Sequence, residues 1–248
     1  MVVGHVVEVG MKLMEHGAES KLVEQNLNRL GAALGLDSVE VGLTANALMV
    51  TGLIKDRCIT SSRRFFDRGI NMHVVCEIQR LTIQVESKHH GNEQTIFLFR
   101  QIKAKKYNRW LVATMVGLAC GSLSQLFGGD HLTFLATFIS AFVAMSIRQS
   151  LAKRHHNPYV IFFIVAFITT SIASVGVRFQ LGNDPSIIMA ASVLLLVPGF
   201  PLINAVLDMV KGYVISGFTR WLIASMLSLS VAGGIALSMT VTGIQGWL

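Results

Sequence analysis

The chain reads as an α-helical integral membrane protein with five transmembrane helices, the fourth one broken, behind an N-terminal cytoplasmic α+β domain. Three observations lead there. The 248 residues have a mean hydropathy of +0.57 and are 52% hydrophobic, which suits an integral membrane protein better than a soluble domain. Charge is unevenly spread: residues 1–107 hold 14 Lys and Arg with 11 Asp and Glu, whereas residues 108–248 hold 7 and 3. Residues 192–212 (SVLLLVPGFPLINAVLDMVKG) form an apolar run long enough to cross a bilayer, yet Pro-Gly-Phe-Pro interrupts it and Asn204 and Asp208 follow.

Residues 1–107 are expected to form the α+β domain. A helix over about 3–16 should pack on a second over 18–34, where Leu22, Leu27, Leu30 and Leu34 fall near helical spacing. Gly17 joins them and Gly35 stops the second. Short β-like runs follow at 38–43, 47–54 and 58–62, with turn signals at Ala45-Asn46 and Lys55-Asp56-Arg57. Residues 71–87 and 92–102 read as helices, and the basic stretch KAKKYNR closes the domain at 103–109. Glu8, Lys12 and Glu15 interrupt the apolar stretch that a cleaved signal would need, so none is expected.

The five apolar segments lie at about 110–127, 132–152, 159–180, 186–210 and 214–242, and the domain boundary is drawn at 107/108. Each approaches or exceeds the 17–25 residues of a typical spanning helix. The Gly128-Gly129-Asp130 connection has no cation, whereas the next has Arg148, Lys153 and Arg154. Arg178 and Asp184 flank the third connection, and Lys211 and Arg220 the fourth. Cations thus favour alternate loops, the side of the 103–109 stretch, which puts the N-terminus in the cytoplasm and the C-terminus outside. The net charge of +7 is explained by these flanks and by anionic lipid, not by nucleic acid. Five spans are few for a self-contained transporter of paired halves, which suggests an oligomer or a missing half.

The fourth segment carries the candidate site. Backbone freed inside lipid is costly unless protein or a watery cavity satisfies it, and a carboxylate there is costlier. Broken helices with polar groups beside the break are a common way for transporters to build substrate sites. Pro198 falls near the expected midplane, and a second half-helix should start over Gly199–Pro201, where proline is tolerated and free N–H groups attract anions. Pro201, Asn204, Asp208 and Lys211 recur at helical spacing on one face. Asn204 would orient a substrate, Asp208 could carry a proton, and Lys211, Arg148 and Arg220 are candidate counter-charges. Arg148 and Arg220 could contact a substrate carboxylate or pair with Asp208, or simply anchor at the interface. The bland alternative is a kinked helix whose Asn and Asp satisfy neighbours.

Other patterns carry less. Lys55, Arg57, Arg63, Arg64 and Arg68 gather cations that would suit an anion vestibule on the cytoplasmic side, or equally a solvated or headgroup-facing surface. Asp67-Arg68-Gly69 resembles a turn. Glu15, His16, Glu19 and Glu24 lack metalloprotease spacing and read as a polar helix face, and the pairs His89-His90 and His155-His156 read as solvent or headgroup positions. Cys58, Cys76 and Cys120 share no metal or disulfide pattern and read as small buried or membrane-facing residues. Gly117 and Gly121 would permit close helix packing. The SxxK letters at 150–153 have no partner motif, and there is no Walker loop, GxSxG or GxGxxG. No catalytic residue, metal or cofactor is expected.

HGAES at 16–20, VEVGLTANALMVT at 39–51, DRGINMHVV at 67–75 and LLLVPGFPLINAVLDMVKG at 194–212 together resemble the threonine/serine exporter family, and within it the larger subunit of the split form implicated in succinate export. The resemblance covers nearly the whole chain in the same motif order. It implies a bacterial inner-membrane exporter without enzymatic activity, and small carboxylate substrates. Fused members carry a second membrane half in the same chain, so five spans imply a separate, smaller membrane subunit. Threonine or serine is the alternative cargo. A membrane scaffold whose cytoplasmic domain binds a partner is the alternative from another class.

Overall fold

The computed structural model describes residues 2–44, 46–66, 68–88, 92–154 and 156–244. Ala45, Asp67, His89, His90 and His155, on which some expected turns and histidine pairs fall, lie outside these residues. The described chain is mostly helical with one small sheet. Its order is α1 (Val2–Glu15), α2 (Ser20–Ala33), β1 (Ser38–Leu43), β2 (Ala47–Ile54), β3 (Arg57–Arg64), α3 (Met72–Lys88), α4 (Asn92–Gln101), α5 (Arg109–Leu126), α6 (His131–Lys153), α7 (Pro158–Arg178), α8 (Ser186–Val193), a 3₁₀ turn (Leu194–Leu196), α9 (Gly199–Val210) and α10 (Val214–Thr242).

The chain divides into two compact units. One joins residues 1–106 to 200–222, and the other joins 107–199 to 223–248. The division therefore differs from a single cut at 107/108: α9 and the start of α10 fold with the N-terminal elements.

In the first unit, β1-β2-β3 form an antiparallel meander, with Val41 opposite Val50 and Val50 opposite Ser61. Lys55 and Asp56 both take positive φ, which suits a two-residue hairpin between right-twisted strands. The third strand is longer than the sequence suggests because its pairing continues to Arg64 opposite Ala47. Val3, Val6, Leu13, Leu27, Leu30, Leu48, Val50 and Ile78 are fully or almost fully buried in one core drawn from α1, α2, the sheet and α3. This is the expected amphipathic logic: apolar stripes at helical spacing meet the alternating face of β2.

α1 ends in a glycine stop. Gly17 has φ +84°, its N–H donates to Met14 O, and the Ala18 N–H donates to Leu13 O. This is the Schellman arrangement, which needs a residue free of Cβ strain at Gly17. α9 is inside-out by soluble standards. Asn204, Ala205 and Asp208 are buried, while Ile203, Val206 and Val210 are exposed. An apolar outer face over a polar inner face is what lipid rewards.

In the second unit, α5 packs closely on α6. A Cβ at Gly117 would lie 3.0 Å from the Phe138 ring, and one at Gly121 2.9 Å from Phe134, so these glycines admit the aromatic rings. Ala144, Ile161, Val165, Ala166, Leu196 and Val231 form one core cluster. Asn108 caps α5 by accepting from the Trp110 N–H, and Asn157 caps α7 ahead of Pro158. Asn183 accepts from the Asp130 N–H and donates to Gly128 O, holding the α5–α6 and α7–α8 connections together at one end of the unit.

Among the described residues, α6, α7 and α10 are each long and apolar enough to cross a membrane. The α8-to-α9 stretch meets the same requirement as a bent pair, making up to four. The first expected span, α5, is 18 residues long and carries Arg109 in its first turn and Gln125 in its last.

Candidate functional site

The HGAES and DMVKG segments meet in the first unit, and the turn between α1 and α2 explains how. That turn leaves Gly17 O, Ala18 O and the Ser20 N–H without partners in their own helices. Each finds one on α9 or α10. Asn204 Nδ2 donates to Gly17 O at 3.0 Å, Arg220 donates through Nη2 to Ala18 O at 3.1 Å, and the Ser20 N–H donates to Asp208 Oδ1 at 2.9 Å.

Asp208 is wholly buried and heavily served. Ser20 Oγ donates to Asp208 Oδ2 at 2.8 Å, and Arg220 Nη1 lies 3.2 Å from the same oxygen. Ser216 Oγ stands 3.2 Å from Ser20 Oγ. α2 has no capping side chain of its own, because Glu19 at the cap position makes no cap bond. Asp208 supplies the missing acceptor and brings negative charge to the positive end of the α2 dipole. Lys211 pairs with Glu19 just outside this cluster. A backbone N–H, a hydroxyl and a guanidinium converging on one carboxylate are the donor set a protein uses to bind any carboxylate.

The third motif closes the other side of the same turn. The Arg68 N–H donates to Glu15 O, the Asn71 N–H donates to His16 O, and Arg68 Nε pairs with Glu15 Oε2 at 3.0 Å. Glu15 is only 7% exposed, so it is no solvated face, contrary to the sequence reading.

The structure thus brings Asn204, Asp208, Lys211 and Arg220 onto the α1–α2 turn. Arg148 is elsewhere, in the second unit, with its guanidinium 4.8 Å from the centre of the Phe162 ring. At the helix break, Val197 is extended, and the Gly199 N–H donates back to Val197 O across Pro198 at 2.5 Å. Gly199 thereby uses its N–H and Pro201 has none, so two of the three first-turn positions offer no free donor. Arg63 and Arg64 are exposed on β3, with Arg64 5.8 Å from the Phe66 ring centre. Cys58 and Cys76 are exposed and Cys120 is buried. Among the described residues, no three of His, Cys, Asp and Glu gather closely enough to hold a metal ion.

Sequence reasoning missed Ser20, Ser216 and the role of Glu19, because a serine opening a helix and a glutamate beside it are ordinary. It also missed a hydroxyl stripe in the second unit. Thr137 and Thr170 are wholly buried with unpartnered hydroxyls, near Ser140, whose Oγ donates to Thr169 O. Threonine and serine recurring at three and four residues in α6 was the signal available.

The family described as "Putative threonine/serine exporter" matches residues 5–242. The chain belongs to the threonine/serine exporter family. Within it, the chain is 47% identical to the "Probable succinate transporter subunit YjjP" of Escherichia coli K12, covering 98% of this chain and 95% of that protein. The protein of the same name from Klebsiella aerogenes is 46% identical, over 97% and 94%. The "Probable threonine/serine exporter" of Mycobacterium tuberculosis is 23% identical over 94% of this chain but only 45% of its own length. No solved structure matches. Members of the exporter family are transporters, so this chain is a transport protein and not an enzyme. Its several apolar helices fit a multi-pass membrane protein.

Proposed function

We propose that this chain is the larger subunit of a bacterial inner-membrane exporter of small carboxylates, succinate first, working with a second, smaller membrane subunit. The observation that carries the reading is full-length similarity, at 46–47% identity, to two proteins named as succinate transporter subunits. This chain matches less than half of the mycobacterial exporter's length, and the word "subunit" in the names of the two succinate transporter relatives supports a partner chain. The span count of the proposal is five, with α5 as the first, the N-terminus cytoplasmic and the C-terminus periplasmic. The complex contains this subunit in one or more copies within the lipid bilayer.

The proposed chemistry centres on Asp208 and Arg220. Taking up a proton would remove the charge that holds Arg220, and the freed guanidinium and the Ser20 donors would accept a substrate carboxylate in its place. Losing the proton would restore the internal pair and expel the substrate. Asn204 and Lys211 flank this exchange. Pro201 opens α9 on the same face, and Pro198, Gly199 and Arg148, which belong to the second unit, are the candidate substrate contacts of that unit. Arg63, Arg64 and Arg68 would gather anions on the cytoplasmic side.

The test is efflux of succinate, threonine and serine from cells lacking this protein, with the chain restored alone and then with its smaller partner. Succinate efflux only with both chains present is the expected result. Asp208→Asn should insert normally and lose gradient-dependent efflux, and normal efflux by that variant removes Asp208 from the mechanism. Threonine or serine is the second reading, favoured by the family's description. Movement of those amino acids instead would change the cargo. Efflux of none of the three would favour another cargo or a membrane scaffold.

A further inference from the structure

An open-sided groove of about 390 Å³ runs along α6 in the second unit, with the exposed Trp110 ring of α5 as one wall. Its floor is apolar. Phe142, Val143, Ile147 and Leu151 share one face of α6, a helix long and apolar enough to cross a membrane. Arg154 lines the end of the groove and is exposed. Ser146 and Ser150 also line it, but their hydroxyls donate within α6, to Phe142 O and Ser146 O. The length of the groove decides between occupants. From Phe142 to Arg154, α6 rises roughly 18 Å at 1.5 Å per residue. A hydrocarbon core is about 30 Å thick, so one leaflet is about 15 Å. The groove therefore fits an acyl chain beneath one headgroup, whereas a spanning helix would need about twice its length. Beyond Phe142 the way is closed. Phe142 stacks on Phe138 and Trp110, and Phe138 and Phe134 fill the space over Gly117 and Gly121 where α5 meets α6.

Charge selects an anionic headgroup. Gln149 Nε2 donates to Arg109 O at 3.2 Å, which ties the start of α5 to the end of α6. Arg109, Lys153 and Arg154 thus gather at one end of the unit, and among the described residues none of them pairs with a carboxylate. The side-chain carboxylates of this unit, Asp130 and Asp184, lie at its opposite end, engaged with Thr133 and Ser186. Arg109 stands in the first turn of α5, which has no acidic residue. The helix dipole is already positive there, so a cation is unfavourable without an anion beside it. The Arg109 guanidinium lies over the Trp110 ring, 4.7 Å from its centre, at the same end as Arg154.

We propose that this groove holds one anionic glycerophospholipid as a fixed ligand of the second unit, with an acyl chain on Phe142, Val143, Ile147 and Leu151 and its phosphate on Arg154 and Arg109. Basic pockets beside membrane helices suit anionic headgroups, and tryptophan suits headgroup depth. The bound phosphate supplies the negative charge that the start of α5 lacks. The site makes no use of Asp208 and is independent of the cargo.

The experiment is native mass spectrometry of the full-length protein in detergent, titrated with dioleoyl phosphatidylglycerol. A tight adduct saturating at one lipid per chain is expected. Dioleoyl phosphatidylcholine should bind about tenfold more weakly, and glycerophosphoglycerol, the headgroup without its chains, should not compete. Arg154→Gln should weaken the adduct about tenfold, as for loss of a charge-assisted bond. Arg178→Gln, which removes an exposed cation from the opposite end of the unit, should leave it unchanged. Ser146→Phe, which fills the groove, should abolish it. Equal binding of the two lipids, competition by the free headgroup, or equal effects of Arg154→Gln and Arg178→Gln would each overturn the proposal. A photo-crosslinking residue in place of exposed Ser150 should attach to phospholipid in cell membranes. Attachment to a protein instead would give the groove to a partner helix and overturn the proposal as well.

Discussion

Removing the Asp208 carboxylate would leave three groups unserved: the Ser20 N–H, the Ser20 hydroxyl and the Arg220 guanidinium. Breaking one side of a buried ion pair costs about 3–5 kcal/mol, more than the pair itself contributes over an apolar replacement. Asp208→Ala should therefore destabilise the purified protein by about that much, and adding Arg220→Ala should recover part of the loss. Denaturant unfolding of the single and double variants in detergent checks both statements. A double variant no better than the single would mean that the Ser20 bonds, not the ion pair, dominate. Asp208 and Arg220 were legible in the sequence because charge stands out in an apolar run. Their partners were not, because Ser20 is 188 residues from Asp208 and looks like any serine at a helix start.

Elements were legible where periodicity and punctuation agreed. Helical leucine spacing in α2, the β-like run at 47–54 and the glycine joint between α1 and α2 all hold in the fold, and the Gly117–Gly121 spacing does seat two phenylalanine rings. What periodicity could not give was the partner of α9, since a polar face on an apolar helix says only that something must satisfy it. The α6 cap makes a sharper statement. Asp130 Oδ1 accepts from the Thr133 N–H and from its hydroxyl, and these bonds hold the Asp130 carboxyl below its ordinary pKa. Because the folded value is depressed, the cap's contribution is fully present above the usual carboxylate range near about 4 and is lost as pH falls through the lower folded value. The melting temperature of wild-type protein should exceed that of Asp130→Ala by a constant amount at neutral pH, with the gap closing in acid. A gap that persists unchanged to low pH would sink this account.

At the scale of the whole chain, the boundary drawn from composition at 107/108 and the compact units part company over residues 200–222. Composition sorts residues by solvent, whereas compactness sorts them by partners, and α9 is lipid-like outside and protein-bound inside. A fragment ending at residue 107 would keep the core of α1, α2, the sheet and α3 but lose what α9 and α10 give the α1–α2 turn. Its Ser20 amide should exchange hydrogen much faster than in the full chain, while Ile78 and its neighbours stay protected. Equal exchange at Ser20 would mean that the turn holds itself. The Ser20–Asp208 bonds also set a schedule for biosynthesis. Once Ser20 is made, the ribosome must add 188 residues before its acceptor exists, roughly 10–40 s at ordinary translation rates. Through that interval the start of α2 is without the acceptor that closes it in the finished fold, so a change at residue 208 should surface late, after the N-terminal core can already form.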